Sequence, residues 1–357
     1  MKMKDVADLA GVSVATVSNV LTGKKAVSDD LTKKVLGVIK DVDYKVDLVA
    51  RGLKSKQSFS IGVITPEITT LFFPDVLNGI DDAAKKYGYA ITYYSSRYDF
   101  ETEKKYVDQL RSGWADGLLI DSCCPIDMQE EWSYELNKMN NSKMRMPVVC
   151  IDRELSPGVL TSVSVDNKGL AFDATKKLIE KGRRNIIHIA APLNLSLGLH
   201  RHQGYLKALQ EAGIANDERY IIEGDYSSST AYLLMKKALK SNLIIDGLFA
   251  ANDQSAIGAL KALLEEGIRV PEQVMIIGFD NCFAGTLVSP SISTYNVPKY
   301  KMGYSAFDAL YKKMNDPDLA VEKIVLEASI LKDSLLILRR KVDGIYQDGK
   351  SLKIITL

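Results

Sequence analysis

The spacing of apolar residues along the chain changes near Phe59. Before that point it predicts three short amphipathic helices, over about residues 5–10, 14–21 and 31–40. After it, short apolar runs typical of buried strands alternate with helices of ten or more residues. The pattern therefore predicts a small all-helical unit followed by a larger α/β unit.

The part of the chain after Phe59 contains two series of predicted strands. The first series comprises residues 61–64, 90–94, 117–120 and 148–151. The second series comprises residues 162–165, 186–190, 247–251 and 274–278. Two such series, separated by helices, predict two doubly wound parallel sheets. A ligand of such sheets lies outside the carboxyl ends of the strands.

The first two helices have the features of a helix-turn-helix. Gly11 permits a sharp turn between them, and Ser13 is placed to cap the second helix. The residues expected to face inward are Val12, Val17 and Leu21. The residues expected to face outward near the start of the second helix are Val14, Ala15, Ser18 and Asn19. A second helix of this kind enters the DNA major groove, whereas an ordinary packed helix pair is the alternative.

Composition places the chain among globular proteins and shows where its basic residues lie. The 357 residues are 46% hydrophobic and 25% charged, which suits two or three domains of about 100–200 residues each. No apolar run approaches the ~18 residues of a membrane span, and no signal peptide is recognised, so a cytoplasmic location is expected. The net charge is +1, but residues 1–58 hold eleven Lys and Arg against seven Asp and Glu. This local basic excess is typical of contact with a polyanion.

Metal and enzyme motifs are missing from the sequence. The four cysteines lack the spacing of zinc ligands or of a disulfide framework, so we expect reduced, mostly buried thiols. The first predicted strand is not followed by GxGxxG, and the chain has no P-loop, HExxH or GxSxG motif. The three histidines have no paired nucleophile. We therefore expect no cofactor, no metal and no catalytic residues.

Several short segments near the start resemble those of one family. They are Asp5-Val6-Ala7, Ala10-Gly11-Val12-Ser13, Thr16-Val17-Ser18 and Val27-Ser28. They are similar to the headpiece of the LacI/GalR (lactose-repressor) family of bacterial transcription regulators, and the resemblance continues to about Leu336. It implies a homodimer that binds a pseudo-palindromic operator, with one recognition helix per half-site. It also implies a two-lobed core, like that of periplasmic binding proteins, that binds a small-molecule effector.

The resemblance divides the chain into four parts. They are a headpiece (1–45), a hinge helix and linker (46–58), an effector-binding core (59–340) and an unassigned tail (341–357). The first lobe of the core is expected over about 59–160 plus 292–322, and the second over about 161–291 plus 323–340. The tail lacks the leucine heptads that make tetramers in some members, so a dimer is expected.

The segment Val46–Lys56 resembles the hinge helix of the family. So short a helix is marginal in water and is expected to fold only when two copies pack together on DNA. In the family, the leucine that matches Leu53 wedges into the minor groove.

The resemblance assigns DNA contacts to Ser13, Val14, Ala15, Thr16, Ser18, Asn19, Thr22, Ala50, Leu53 and Lys54. Because asparagine pairs best with adenine and small apolar side chains suit the thymine methyl, A·T pairs are expected in the half-sites.

Polar and aromatic residues at the strand ends predict one ligand site between the lobes. The resemblance assigns effector binding to Phe72, Phe73, Asp152, Arg201, Tyr226, Asn252, Asp253 and Asp280. Amide, carboxylate and guanidinium groups suit adjacent sugar hydroxyls, and an aromatic ring suits the C–H face of a pyranose. A neutral or lightly charged sugar is therefore the expected effector, although some family members bind purines or protein partners.

Two other functions remain open at this point. A two-lobed sugar-binding protein would share the core but not the basic helix-turn-helix. A regulator controlled by a partner protein at the core surface would keep the headpiece and leave the cleft unused. Under the main hypothesis, effector binding closes the lobes and decides whether two hinge helices can pair on the operator.

Overall fold

The computed structural model describes residues 1–22, 25–42, 44, 57–140 and 146–331. Its contacts divide the chain into two compact units, Met1–Phe59 and Ser60–Leu357. The hinge segment Val46–Lys56 and the tail 341–357 lie outside the described residues. The expected ordering of the hinge on DNA therefore stays a prediction.

In the described part of the first unit, which is called the headpiece below, three short helices form a bundle. They are α1 (Met3–Ala10), α2 (Val14–Thr22) and α3 (Asp29–Asp41). Gly11 has φ 59°, a left-handed conformation that glycine adopts without strain, and it makes the turn after α1. The Ser13 hydroxyl accepts a hydrogen bond from the Thr16 amide at 3.0 Å, as a cap of α2 should. The predicted helix-turn-helix is present.

A small apolar core holds the headpiece together. Its buried side chains are Val6, Ala7, Ala10, Val17 and Val35. Leu9 of α1 and Leu36 of α3 are apolar as well, but they are 59% and 49% exposed. Three short helices enclose too little volume to bury every apolar side chain that their periodicity selects.

The described residues of the second unit, which is called the core below, form two six-stranded sheets. The strands of the first sheet are β1 (Ser60–Thr65), β2 (Ala90–Ser95), β3 (Gly117–Ile120), β4 (Val148–Ile151), β5 (Thr161–Val165) and β11 (Lys323–Leu326). Those of the second are β6 (Ile186–Ala190), β7 (Ile221–Glu223), β8 (Gly247–Ala250), β9 (Met275–Phe279), β10 (Ser293–Asn296) and β12 (Ser329–Leu331). Their orders are β11-β5-β4-β3-β1-β2, all parallel, and β12-β10-β9-β8-β6-β7, with β12 antiparallel to β10. The predicted pair of parallel sheets is confirmed.

Helices cover the sheets and pack against one another in pairs. They are α4 (Phe73–Tyr87), α5 (Phe100–Gln109), α6 (Gln129–Asn140), α7 (Asn167–Glu180), α8 (Ser196–Glu211), α9 (Ser228–Leu239), α10 (Asp253–Glu265) and α11 (Lys299–Asn315). The closest helix pairs are α4 with α11, α7 with α8, and α9 with α10. Among the described helices, none is long and apolar enough to cross a membrane.

Sheet pairing corrects the expected lobe boundaries. β5 pairs with β4, with Thr161 opposite Val149, so residues 161–165 belong to the first sheet and do not begin the second lobe. β10 pairs with β9 in the second sheet, and β11 pairs with β5 in the first. The chain therefore crosses between the lobes three times, after β5, β10 and β11. Strands buried in either parallel sheet have the same apolar pattern, and that pattern does not say which sheet they join.

The four cysteines, Cys123, Cys124, Cys150 and Cys282, are free thiols, and all are buried. Burial raises the pKa of each thiol, because the thiolate loses its hydration. The expectation of reduced, buried thiols is confirmed.

Candidate effector site

The first-lobe side of the site is an ion pair at the ends of β3 and β4. Asp121 follows β3 directly, Asp152 and Arg153 follow β4, and all three side chains are buried. Nη1 of Arg153 lies 3.3 Å from Oδ1 of Asp121 and donates to the carbonyl of Ser122 at 3.0 Å. The Arg153 guanidinium is therefore held by the backbone that follows β3, and it faces the carboxylate of Asp121 at the same place.

The second-lobe side is organised by Arg201, which projects from α8 and is 1% exposed. Its Nε donates to Oδ1 of Asn167 at 3.0 Å, its Nη1 donates to the carbonyl of Ala251, and its Nη2 lies 3.4 Å from Oδ1 of Asp280. The guanidinium carbon lies 3.8 Å from the centre of the Phe279 ring. A planar guanidinium suits this site because its donors are fixed in several directions at once.

Aromatic rings from both lobes close the site. Phe72 and Phe73, at the start of α4, pack edge to face with ring centres 5.3 Å apart. Tyr98 of the first lobe stacks on Tyr226 of the second at 5.9 Å. The remaining cavity is about 30 Å³ and is lined by Phe72, Phe73, Tyr98, Asp121, Asp152, Arg153, Leu197, Arg201, Tyr226 and Asp280. That is room for about one water molecule, so the lobes are closed onto the site.

The backbone at the site is strained in several places. Tyr98, Asp152, Tyr226 and Asp280 have φ values of 59°, 60°, 70° and 95°, in the left-handed region that favours glycine. Each such residue costs about 1–3 kcal/mol and is retained where surrounding contacts impose it, most often at functional sites. These four strained residues follow β2, β4, β7 and β9, and all of them line the cavity.

Several buried polar atoms at the site have no hydrogen-bond partner among the described residues. They are both carboxylate oxygens of Asp121, Oδ1 of Asp152, Nε of Arg153 and the hydroxyl of Tyr226. Burial raises the pKa of Asp121 well above its ordinary value, while Arg153 opposes the rise. Burial also raises the pKa of Asp152 and of Asp280, against the effect of Arg201. Native proteins leave few such atoms unsatisfied, so a polar ligand is the natural partner for these.

Most of the residues assigned to the effector from the sequence meet at this cavity. Those that line it are Phe72, Phe73, Asp152, Arg201, Tyr226 and Asp280. Asn252 and Asp253 do not line it. Asn252 caps α10 by accepting from the Ser255 amide at 2.9 Å, and it donates to the carbonyl of Tyr226 at 3.0 Å. Asp253 turns the other way and accepts from the Cys282 amide at 2.7 Å. Asn252 thus supports the strained Tyr226, while Asp253 lies behind the site.

Four lining residues were absent from the sequence-based assignment: Tyr98, Asp121, Arg153 and Leu197. Asp121 and Arg153 follow predicted strands, and their position at the carboxyl ends was a usable signal. Tyr98 lies in the loop after β2 and belongs to no motif. Its contact with Tyr226 joins residues of the two lobes, and no sequence pattern indicates it.

A larger groove of about 470 Å³ adjoins the cavity and shares Asp152, Arg153 and Leu197 with it. His200 and Lys168 lie along this groove. His188 is instead a core residue whose Nδ1 is 3.0 Å from the carbonyl of Phe249, and burial lowers its pKa to about 3. The cavity and the groove are thus neighbouring spaces with a shared wall.

Asp253 leads to a prediction about pH. Burial and the nearby Asp280 raise its pKa to about 7, whereas the unfolded chain has the ordinary value of 3.8. Between these values the folded protein binds a proton that the unfolded protein has lost, so stability should fall as pH rises from about 4 to 7. Three pKa units correspond to at most about 4 kcal/mol. Because only about two of these units are titrated between pH 5 and pH 8, Asp253→Asn should reduce the loss over that interval by about 2–3 kcal/mol, measured by urea unfolding of the core at the two pH values.

The matched control for this measurement is Asp318→Asn, because Asp318 is exposed. It should leave the difference in unfolding free energy between pH 5 and pH 8 as it is in the unsubstituted protein. An Asp253→Asn protein with the original pH dependence would show that this carboxyl group is ionised across the whole range.

The headpiece presents the start of α2 to solvent. Ser13, Val14 and Ala15 are exposed, and Thr16, Ser18 and Asn19 are partly buried. Val17, the inward residue between them, is fully buried. Thr22 ends α2, but its side chain lies outside the described part of the chain, as do Ala50, Leu53 and Lys54.

The fold and site define a helix-turn-helix protein with a two-lobed ligand-binding core, and comparison with known proteins agrees. The family described as "Bacterial regulatory proteins, lacI family" matches residues 2–47, and the "Periplasmic binding protein-like domain" matches residues 175–335. The HTH-type transcriptional regulator RegA of Clostridium saccharobutylicum is 34% identical over 331 residues, which cover 92% of this chain and 97% of RegA.

Solved structures show the same similarity. A lac repressor dimer bound to operator and the anti-inducer ONPF has a TM-score of 0.81 and 25% identity, over 93% of this chain and 98% of that one. The CelR–cellobiose complex has a TM-score of 0.69 and 26% identity, over 93% and 98%. The chain belongs to the LacI family of bacterial regulatory proteins, as the headpiece motifs implied. It is a DNA-binding transcriptional regulator.

Proposed function

We propose that this regulator is a repressor controlled by a neutral, hydroxyl-rich sugar bound between the two lobes. The observation that carries the proposal is the group of buried polar atoms at Asp121, Asp152, Arg153 and Tyr226 that make no hydrogen bond among the described residues. Most of these atoms are carboxylate oxygens, which can only accept hydrogen bonds when ionised. A ligand with several O–H donors would satisfy them together.

The charge of the site favours a neutral ligand over a phosphate. Three buried carboxylates (Asp121, Asp152 and Asp280) face two guanidiniums (Arg153 and Arg201). Each guanidinium is already paired with a carboxylate, Arg153 with Asp121 and Arg201 with Asp280, so a phosphate group in this desolvated site would have to compete with these carboxylates for them. The rings of the lining aromatic residues provide apolar surface for the C–H face of a sugar. The similar CelR structure contains a sugar, cellobiose.

The size of the cavity connects binding with the arrangement of the lobes. A cavity of about 30 Å³ does not hold a sugar, so the effector binds a form in which Tyr98 and Tyr226 are further apart. Effector binding would then shift the population of lobe arrangements by its difference in affinity for them. We propose that this change controls whether the linker 46–58 pairs over the operator.

The DNA-reading surface of the proposed function is the start of α2. Val14 and Ala15 are exposed and apolar, as contact with a thymine methyl group requires, and Asn19 is placed one turn further along. With Ser13, Thr16, Ser18 and Thr22 they would read one half-site. In the linker, Ala50, Leu53 and Lys54 would contact the minor groove and phosphates, as the family resemblance implies.

Calorimetry of the full chain with glucose, ribose, cellobiose, glucose 6-phosphate and guanine tests the effector class. We expect heat of binding from at least one neutral sugar and none from the phosphate or the purine. That sugar should change operator affinity by the same factor by which operator changes sugar affinity, since coupling is reciprocal. If no neutral sugar binds or alters operator affinity, the proposal fails, and control by a partner protein at the core surface becomes the better hypothesis.

A further inference from the structure

We infer that Lys299 is a positioning residue that fastens the Asp280 loop of the effector site to helices of the first lobe. It thereby makes the arrangement of the lobes depend on the state of that loop. The inference rests on the proposed function for its consequence in regulation, but the contacts themselves are tested without any ligand.

Lys299 joins the two lobes through its buried ammonium group. It is the first residue of α11, which packs on the first lobe, and it is 5% exposed. Nζ donates to the carbonyl of Asp280 at 2.7 Å and to that of Asn281 at 2.8 Å, both in the loop after β9 of the second lobe. Nζ also lies 3.7 Å from Oδ2 of Asp75 on α4. One side chain therefore holds a second-lobe loop and faces a first-lobe helix.

The loop that Lys299 holds has an unusual backbone. Asp280 and Asn281 are consecutive non-glycine residues with φ values of 95° and 54°. Strained conformations of this kind persist only where neighbouring groups impose them. Two adjacent carbonyls that converge on one point need a donor that can serve both, and an ammonium group with three N–H bonds can do so. The Asn281 amide group adds a bond to Asn296 at 2.8 Å.

Asp280 connects this loop to the effector cavity. Its carboxylate lines the cavity and lies 3.4 Å from Nη2 of Arg201, while its carbonyl accepts from Lys299. A displacement of the carboxylate by a ligand therefore moves a residue whose backbone is tied to the first lobe. A lysine at the first turn of a helix is also unfavourable to the helix dipole, so the stability of α11 does not explain its presence.

The first-lobe end of the connection is rigid. A Cβ atom on Gly79 of α4 would lie 2.0 Å from the carbonyl oxygen of Tyr300, and one on Gly303 would lie 2.0 Å from that of Val76. The two helices thus cross with their backbones in contact. A displacement of the start of α11 would therefore also displace α4. Phe73, at the start of α4, lines the same cavity as Asp280. Lys299 therefore connects the Asp280 loop to the helix pair that carries Phe73, and both Asp280 and Phe73 line the cavity.

Hydrogen–deuterium exchange of the full-length, ligand-free protein tests the contact. Lys299→Met should speed exchange of the amides of residues 280–282 by at least tenfold, and Lys299→Arg, which keeps N–H donors, should restore it to within threefold. Lys301→Met is the matched control, since Lys301 is exposed on the same helix and should leave exchange unchanged. If the amides of residues 280–282 exchange in Lys299→Met at the same rate as in the unsubstituted protein, the inference is wrong. If the substitution unfolds the core, Lys299→Ala, which also has no side-chain N–H donor, replaces it, with the same expectation for the loop amides.

A second measurement separates this inference from the proposed function. With whichever of glucose, ribose and cellobiose the unsubstituted protein binds, Lys299→Met should weaken binding about tenfold, and Lys301→Met should leave it unchanged. Unchanged sugar affinity together with faster loop exchange would show that Lys299 holds the loop but does not position Asp280 for the effector, which overturns the inference. Failure of the unsubstituted protein to bind any of the sugars counts against the proposed function alone, and the exchange experiment still decides the contact.

Discussion

Replacing Arg201 by lysine is expected to weaken effector binding by about 100-fold while leaving operator affinity in the absence of effector within threefold. The guanidinium donates in three directions, to Asn167, Ala251 and Asp280. A lysine ammonium reaches one of these partners and leaves the others, which are buried, without a donor. Truncating a buried, hydrogen-bonded charge pair costs about 2–5 kcal/mol in binding, and about 2.7 kcal/mol corresponds to 100-fold.

Calorimetry with the sugar identified from the panel measures the first quantity, and fluorescence anisotropy with labelled operator measures the second. Arg183→Lys is the matched control. Arg183 donates to the carbonyls of Pro271, Glu272 and Gln273 at the amino end of β6, opposite to the strand ends that form the site. It should leave sugar affinity unchanged. An Arg201→Lys protein that binds the sugar within threefold of the unsubstituted affinity would show that this arginine does not hold the effector.

The candidate site could be predicted from the sequence where it depends on strand ends, and less well where it depends on side-chain direction. Asp152, Arg201 and Asp280 lie where the alternation of strands and helices and the family motifs put them. Asn252 and Asp253 follow β8 in the same way, but the chain turns at once into α10. One side chain then serves as the helix cap and the other points behind the sheet. A pattern of residue types does not contain that direction, because it is set by the first turn of the helix.

The lobe boundaries could not be predicted because they depend on tertiary pairing. The apolar run at residues 161–165 is the same whether it lies beside β4 or begins a new sheet, since each parallel sheet buries both faces of its strands. Only the register of β5 on β4, and of β11 on β5, shows that the crossings between lobes fall after these strands. These crossings are the segments that join the two sheets.

The headpiece shows how far helix periodicity alone is reliable in a very small core. Helix periodicity predicts that Val17 faces inward, and Val17 is fully buried. Leu36 in α3 is equally apolar but is half exposed. The two residues have the same apolar character but differ in how many neighbours surround them. They therefore provide matched positions for testing what the core of this unit contributes.

Val17→Asp is expected to unfold the headpiece and to lower operator affinity by at least 1000-fold, while effector affinity of the core stays within twofold. An unpaired carboxylate in the apolar core formed with Val6, Ala10 and Val35 costs several kcal/mol. A unit of this size has rarely more than about 3–5 kcal/mol of stability to lose. Specific binding is typically 10³–10⁷ times tighter than non-specific binding, and it requires the folded α2. Anisotropy with operator selected from a random DNA pool by the unsubstituted protein measures the loss.

Leu36→Asp adds the same charge to the same headpiece at an exposed position and should lower operator affinity by no more than about tenfold, through repulsion of phosphates. The comparison separates folding from charge, because both variants carry one additional carboxylate and only one places it in the core. Equal losses in the two variants would mean that charge, and not the packing of α2 on α1 and α3, determines operator binding. Loss of effector binding in Val17→Asp would contradict the division of the chain into two units that fold separately.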